Sequence, residues 1–143
     1  TRNLTRTSGA HDRGARWSPD GKTIAFISDV TGEDELWLVP QDGSGAPTQL
    51  TAGGDRMLFG LDWSPTGTHL SFHDKSNRLR IVEVATKNVT EVARNLGGHT
   101  GDSMWSPDGA WLAYSLTDPN GLRSLYIFGV ADGQARRVTD EGL

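Results

Sequence analysis

The sequence has 143 residues, a formal net charge of −4 at pH 7, 35% hydrophobic residues and no cysteine. This length and apolar content suit one domain with a buried core, and the absence of cysteine excludes disulfides and thiolate metal sites. The acidic charge argues against a nucleic-acid partner, because phosphate binding requires a concentrated basic surface and only Arg136-Arg137 is locally basic. No apolar run approaches the ~20 residues of a membrane span, so we expect no membrane partner either.

A pentapeptide motif occurs three times, at residues 17–21, 63–67 and 105–109, with its Trp residues spaced by 46 and 42 positions. That period is typical of β-propeller blades. Pro at the second turn position and Gly at the fourth predict a tight turn between two strands in each copy. Thr66 stands where the other two copies have Asp.

The predicted elements follow this period along the chain. Residues 1–6 are expected to be the outermost strand of a neighbouring blade, because Leu4-Thr5 reappears as Leu50-Thr51 and Val138-Thr139. Three blades follow, at residues 13–51, 55–92 and 101–139. The fold class is therefore all-β, a partial β-propeller of three four-stranded antiparallel blades plus one extra outer strand.

Two columns of side chains predict how the blades pack. Large residues (Phe26, Phe72, Tyr114) alternate with small ones (Ala25, Ser71, Ala113) at equivalent positions of the second strands. The large side chains of one blade can therefore fill the space beside the small side chains of the next blade.

Three blades do not close a ring, since propellers use about four to eight. We therefore expect apolar faces on the two terminal blades, which mark missing partners. The sequence does not begin with Met, and we expect a piece of a longer chain whose remaining blades cover these faces. Self-association, for example two copies in a six-bladed ring, is the alternative.

Catalytic and cofactor motifs are missing from the sequence. It has no Gly-x-Ser-x-Gly nucleophile elbow, and Ser18, Ser64 and Ser106 are interpreted as turn residues. It has no P-loop and no dinucleotide fingerprint, so we expect no catalytic residue and no cofactor.

Two groups of potential metal ligands are poorly suited to bind a metal ion. His69 and His73 lie on a predicted strand, where four residues span roughly 13 Å, too far apart for one zinc ion. The four carboxylates of residues 29–35 lack the ligand order of an EF-hand and favour a solvated hairpin tip. No metal site is expected.

The candidate site lies in the loops that enter the innermost strand of each blade, at one mouth of the propeller channel. These loops carry His11, Asp12, Arg13, Asp55, Arg56, His99 and Asp102. Mixed charge around one mouth suits peptide ends and backbone. The alternative is that Asp and Arg residues here hold neighbouring blades together, and the sequence leaves both open.

Two stretches carry a family resemblance. Residues 17–29, followed by Glu35-Leu36-Trp37 and residues 42–45, resemble TolB-type propeller repeats. Residues 2–7 and 9–13 resemble the junction where the second, seven-bladed propeller begins in the tricorn protease family, and the likeness extends to Thr139. This resemblance would make the chain the first three blades of that propeller.

The resemblance implies a non-catalytic segment of a large cytoplasmic serine peptidase, which guides or filters peptides through a central channel. Its implied partners are the remaining blades, the catalytic domain of the parent chain, and peptides. Two alternatives remain: a TolB-like protein-interaction propeller, which would be periplasmic, and the propeller gate of a prolyl-oligopeptidase-like enzyme.

Overall fold

The structure is a computed structural model that describes residues 1–54, 57–95 and 102–139. This part of the chain contains twelve strands and no helix. It consequently holds no helix that could cross a membrane. The strands form three four-stranded antiparallel sheets, which confirms the predicted all-β fold of three blades.

Each sheet is a meander in which strands pair in chain order. The first comprises β1 (Asp12–Trp17), β2 (Thr23–Ser28), β3 (Glu35–Pro40) and β4 (Thr48–Gln49). The second comprises β5 (Leu58–Trp63), β6 (His69–Asp74), β7 (Arg78–Glu83) and β8 (Val89–Arg94). The third comprises β9 (Ser103–Trp105), β10 (Trp111–Thr117), β11 (Arg123–Gly129) and β12 (Ala135–Arg137).

The repeated serine closes the turn between the first two strands of each blade. In the first blade the Ser18 amide donates to the Thr23 carbonyl at 2.8 Å, and the Thr23 amide donates to Ser18 Oγ at 3.0 Å. Gly21, at φ 72°, donates its amide to the Ser18 carbonyl at 2.9 Å. Ser64 and Ser106 make the same three bonds in their blades. The interpretation of these serines as turn residues agrees with these contacts.

Neighbouring blades pack through two hydrophobic cores. In the first core Ala25 and Leu36 of the first blade meet Trp63 and Phe72 of the second. In the second core Leu79, Ile81 and Val92 meet a cluster from the third blade, namely Trp105, Leu112, Tyr114 and Phe128. Ala25 is completely buried beside the large residues of the next blade, as the two columns predict.

The first strands of two blades carry a bulge at the same position. The register of β1 shifts between Arg13 and Arg16, and that of β5 shifts between Phe59 and Asp62. Gly14 and Gly60, inside these bulges, have φ values of 69° and 65°. A bulge bends an edge strand and changes the direction of the side chains that follow it.

Residues 1–6 form no strand, whereas the sequence predicts the outermost strand of a neighbouring blade. The three described sheets are the blades that follow this segment, so they include no inner strand of that neighbouring blade for it to pair with. Residues 2–5 instead lie over the open side of the first blade, in a groove lined by Phe26 and Val39.

The expected apolar terminal faces are present in different degrees. On the first blade Phe26 and Val39 are buried, while Trp17 is 61% exposed. On the third blade Met104 and Leu125 are 72% and 51% exposed. Residues 2–5 thus cover part of the first face and leave Trp17 open.

Candidate channel-facing site

The candidate site is built on the first strands of the blades. Each of β1, β5 and β9 lies at the edge of its sheet, and β1 contacts β5 directly. The loops that enter these strands carry the predicted residues. Asp55, Arg56 and His99 lie outside the described residues, whereas His11, Asp12, Arg13 and Asp102 lie within them.

His11 is held by its neighbour Asp29 and faces solvent. Its amide donates to Asp29 Oδ1 at 2.7 Å, and its Nδ1 lies 3.0 Å from Asp29 Oδ2. These bonds lower the pKa of Asp29. The His11 side chain is nevertheless 84% exposed, so its ring is accessible from solvent.

Asp12 fastens the N-terminal segment to the first blade. Thr7 Oγ1 donates to Asp12 Oδ2 at 2.8 Å. Burial opposes ionisation of Asp12, but hydrogen bonds from Ser28, Thr5 and Thr7 outweigh it and lower the pKa. These contacts give Asp12 a structural role.

Arg13 joins the first blade to the second. Its Nη1 donates to Asp34 Oδ1 at 3.1 Å, and its Nη2 donates to the Leu58 carbonyl at 3.1 Å. Asp34 Oδ2 also accepts the Leu58 amide at 2.9 Å. The Arg13 guanidinium lowers the pKa of Asp34. For Arg13, these contacts support the blade-holding alternative.

Asp102 lies at the entrance of the third blade, where its contacts are with residues of that blade. Its Oδ2 is 3.5 Å from Arg123 Nη1 and accepts Ser115 Oγ at 3.4 Å. Its side chain is 68% exposed. Asp102 is therefore accessible, with one weak ion pair.

The sequence predicts that the carboxylates of residues 29–35 lie on a solvated hairpin tip. In the structure two of them, Asp34 and Glu35, make hydrogen bonds within the fold. Asp34 is bound to Arg13 and Leu58, as described above. Glu35 is buried and accepts hydrogen bonds from Thr51 Oγ1 and the Gly54 amide. That prediction is wrong for these two residues, because each connects strand β3 to the segment that leads into the next blade.

The two histidines of β6 pack within the fold. His73 is buried, its ring is stacked on Phe59, and its Nε2 lies 3.0 Å from Ser103 Oγ of the third blade. Burial lowers the pKa of both His69 and His73. In the described residues no three His, Cys, Asp or Glu side chains are grouped to hold a metal ion.

The structure adds two residues that the sequence reasoning missed, Arg16 and Asp62. Each directly precedes the Trp of its blade and is exposed on a first strand. Asp62 experiences the positive charge of Arg16. Their shared position before the repeated Trp was a signal available in the sequence, with Met104 as the third member.

The sequence model of the family described as the tricorn protease second beta propeller domain matches residues 1–143. The chain belongs to this family. A relative, tricorn protease homolog 1 of Streptomyces coelicolor, is 29% identical over 143 residues, which cover 96% of this chain and 13% of the relative. The chain thus spans a small part of the length of that relative.

Solved structures show the same fold. The crystal structure of the tricorn protease matches with a TM-score of 0.80 at 17% identity, covering 92% of this chain and 13% of that one. A Mycobacterium tuberculosis puromycin-hydrolysing peptidase matches with a TM-score of 0.74 at 19% identity, covering 97% of this chain and 24% of that one. At these identities the likeness concerns the fold alone.

Proposed function

We propose that this chain is a non-catalytic part of a tricorn-type peptidase, and that it guides or filters peptides through the channel of its propeller. The observation that carries the proposal is the exposed, opposite charge of Arg16 and Asp62 on the first strands, with exposed His11 in the loop that enters β1. Neighbouring groups of opposite charge suit the ends and polar backbone of peptides. Membership in a tricorn propeller family supports peptides as the ligand.

The polar residues that resemble catalytic groups have other roles in the fold. Ser18, Ser64 and Ser106 close turns, and the His73–Ser103 contact joins two blades. Peptide hydrolysis would therefore depend on other domains of the longer protein. Those domains and the remaining blades are the partners that we propose for the exposed faces at Trp17 and Met104, and we place the whole protein in the cytoplasm.

A bulky group at the channel mouth tests this function. In the full-length protein, with its own cysteines replaced, His11→Cys is labelled with a polyethylene glycol maleimide. His11 is chosen because its side chain is 84% exposed at the entrance to β1. We expect the cleavage rate of long peptides to fall by about fivefold or more, equivalent to ~1 kcal/mol in the barrier, while a two-residue chromogenic substrate is affected much less.

The matched control is Ala46→Cys with the same label, since Ala46 is exposed between β3 and β4, on the outer side of the blade. This label should leave both substrates unaffected. Equal cleavage of long peptides by the two labelled proteins would show that peptides do not pass this mouth.

A further inference from the structure

The residue before the repeated Trp occupies the same place in each blade. Arg16 pairs with Ala25, Asp62 with Ser71, and Met104 with Ala113. Each therefore lies opposite a member of the small column. A small partner leaves room for the longer side chain, and all three side chains are exposed.

The main chain at Arg16 and Asp62 is fixed by the Trp of the following blade. Trp63 Nε1 donates directly to the Arg16 carbonyl at 3.1 Å. Trp105 Nε1 donates to Ser71 Oγ at 3.1 Å, and Ser71 Oγ in turn lies 3.4 Å from the Asp62 carbonyl. In the first blade the indole therefore bonds the main chain directly, whereas in the second blade the hydroxyl of Ser71 lies between the indole and the Asp62 carbonyl.

The bulges act on the same two residues. Gly14 precedes Arg16 by two positions and Gly60 precedes Asp62 by two, and each register shift ends at the charged residue. Bulges at sheet edges redirect the side chains that follow. Two independent structural features, a β-bulge and a Trp from the next blade, therefore set the position of each charged residue.

In the part of the chain that the structure describes, neither Arg16 nor Asp62 forms an ion pair within 4.0 Å. Arg16 Nη1 donates to the carbonyl of Ala15 at 2.9 Å, and the positive charge of Arg16 acts on Asp62 from beyond ion-pair distance. Asp62 is exposed, yet protein atoms crowd it enough for desolvation to raise its pKa. A carboxylate in these surroundings gains from a cationic ligand, and an exposed guanidinium gains from an anionic one.

We propose that Arg16 and Asp62 form a preorganised binding site for oligopeptides that carry both signs of charge. Asp62 binds an ammonium or guanidinium group of the peptide, and Arg16 binds a carboxylate. The inference rests on the proposed function, because peptides must reach the first strands. It adds that charge, as well as length, selects the peptides that enter.

The test measures peptide binding to the full-length protein by fluorescence anisotropy. The probes are three dye-labelled peptides of equal length: one with Lys and Glu at two positions, one with the order reversed, and one with Gln at both. Preference is defined as the ratio of Kd values for the neutral and charged peptides. We expect Arg16→Gln and Asp62→Asn each to lower this preference by about three- to tenfold.

Two variants serve as matched controls. Lys75→Gln and Asp42→Asn remove one charge of each sign from exposed turns, between β6 and β7 and between β3 and β4. They should keep the preference of the unmodified protein. The double reversal Arg16→Asp with Asp62→Arg should exchange the preferred order of Lys and Glu.

Unchanged preference in Arg16→Gln, Asp62→Asn and the double reversal would overturn this inference. If the label at His11 still slows the cleavage of long peptides, the channel route holds and the charge site alone is wrong. If neither the label nor the charge variants have an effect, the proposed function itself fails.

Discussion

At the scale of single residues, one hydroxyl organises each repeat. Ser18 Oγ donates to Asp20 Oδ1 at 2.6 Å and accepts the Thr23 amide at 3.0 Å, so the carboxylate and the next strand are tied to the same atom. Ser106 and Asp108 repeat the pair at 2.6 Å. In the second blade Thr66 takes the place of Asp, and its Oγ1 lies 3.1 Å from Ser64 Oγ. The turn therefore tolerates either a carboxylate or a hydroxyl as partner of the serine.

The lowered pKa values of the turn carboxylates predict how the unfolding free energy changes at acid pH. The hydroxyl of Ser18 lowers the pKa of Asp20, and that of Ser106 lowers the pKa of Asp108, each below the ordinary value of 3.8. Their stabilising contribution is present above the unfolded pKa and is lost as pH falls through the lower folded pKa. The double variant Asp20→Asn with Asp108→Asn should show a shallower decline of unfolding free energy with acid, measured by urea denaturation from about pH 6 to pH 3.

Asp62→Asn provides a control in which the pH dependence of the unfolding free energy should change in the opposite direction. Because desolvation raises the folded pKa of Asp62, protonation of this group relieves a cost of folding as pH falls. Its removal should make the acid decline steeper. A shallower decline in both sets of variants would contradict this account.

At the scale of elements, the bulge in β5 couples a strand to the histidine beside it. Gly60 has a φ of 65°, and a Cβ at this position would lie 2.7 Å from His73 Cδ2. The same imidazole stacks on Phe59 and meets Ser103 of the third blade. The glycine is therefore required twice, by its backbone conformation and by the close approach of the ring.

Gly60→Ala should reduce the unfolding free energy more than Gly53→Ala does. Gly53 has a φ of 73° with no neighbour within 4 Å, so its substitution measures the backbone cost, about 1 kcal/mol. The contact with His73 should add roughly 1–3 kcal/mol at Gly60. Urea denaturation of both variants checks the difference, and equal losses would show that the ring moves aside without cost.

At the scale of the whole molecule, three equivalent Trp residues report how each blade is covered. Trp63 and Trp105 are 9% and 6% exposed, because each packs on the blade before it, whereas Trp17 is 61% exposed. An exposed large residue on an otherwise repeated interface marks the place of a further blade.

Trp17→Ala should have different effects in the 143-residue chain and in the longer protein. In the 143-residue chain we expect a loss below about 1 kcal/mol, while Trp63→Ala should cost about 3–5 kcal/mol. In the longer protein the two substitutions should become comparable, because we expect a further blade to cover Trp17. Chemical denaturation followed by fluorescence measures both, and a small loss at Trp17 in the longer protein would mean that this face stays open.

Local chemistry determined much of the fold directly. The Trp-Ser-Pro turns, their period and the alternation of Phe26 with Ala25 predict three antiparallel blades, because turn geometry and strand periodicity are properties of neighbouring residues. The same logic predicts apolar faces on the two terminal blades, and the structure shows Trp17 and Met104 exposed on the first and third blades.

The partners of charged side chains were decided by the tertiary structure. Arg13 was a candidate for the channel mouth, but Asp34 and the Leu58 carbonyl of the next blade bind it, and the composition of either segment alone does not show that contact. Arg16 and Asp62 became visible as a pair when strands β1 and β5 were brought side by side. Repeats and turns depend on residues that are close in the sequence. The pairing of charges depends instead on which strands the folded sheets place next to each other.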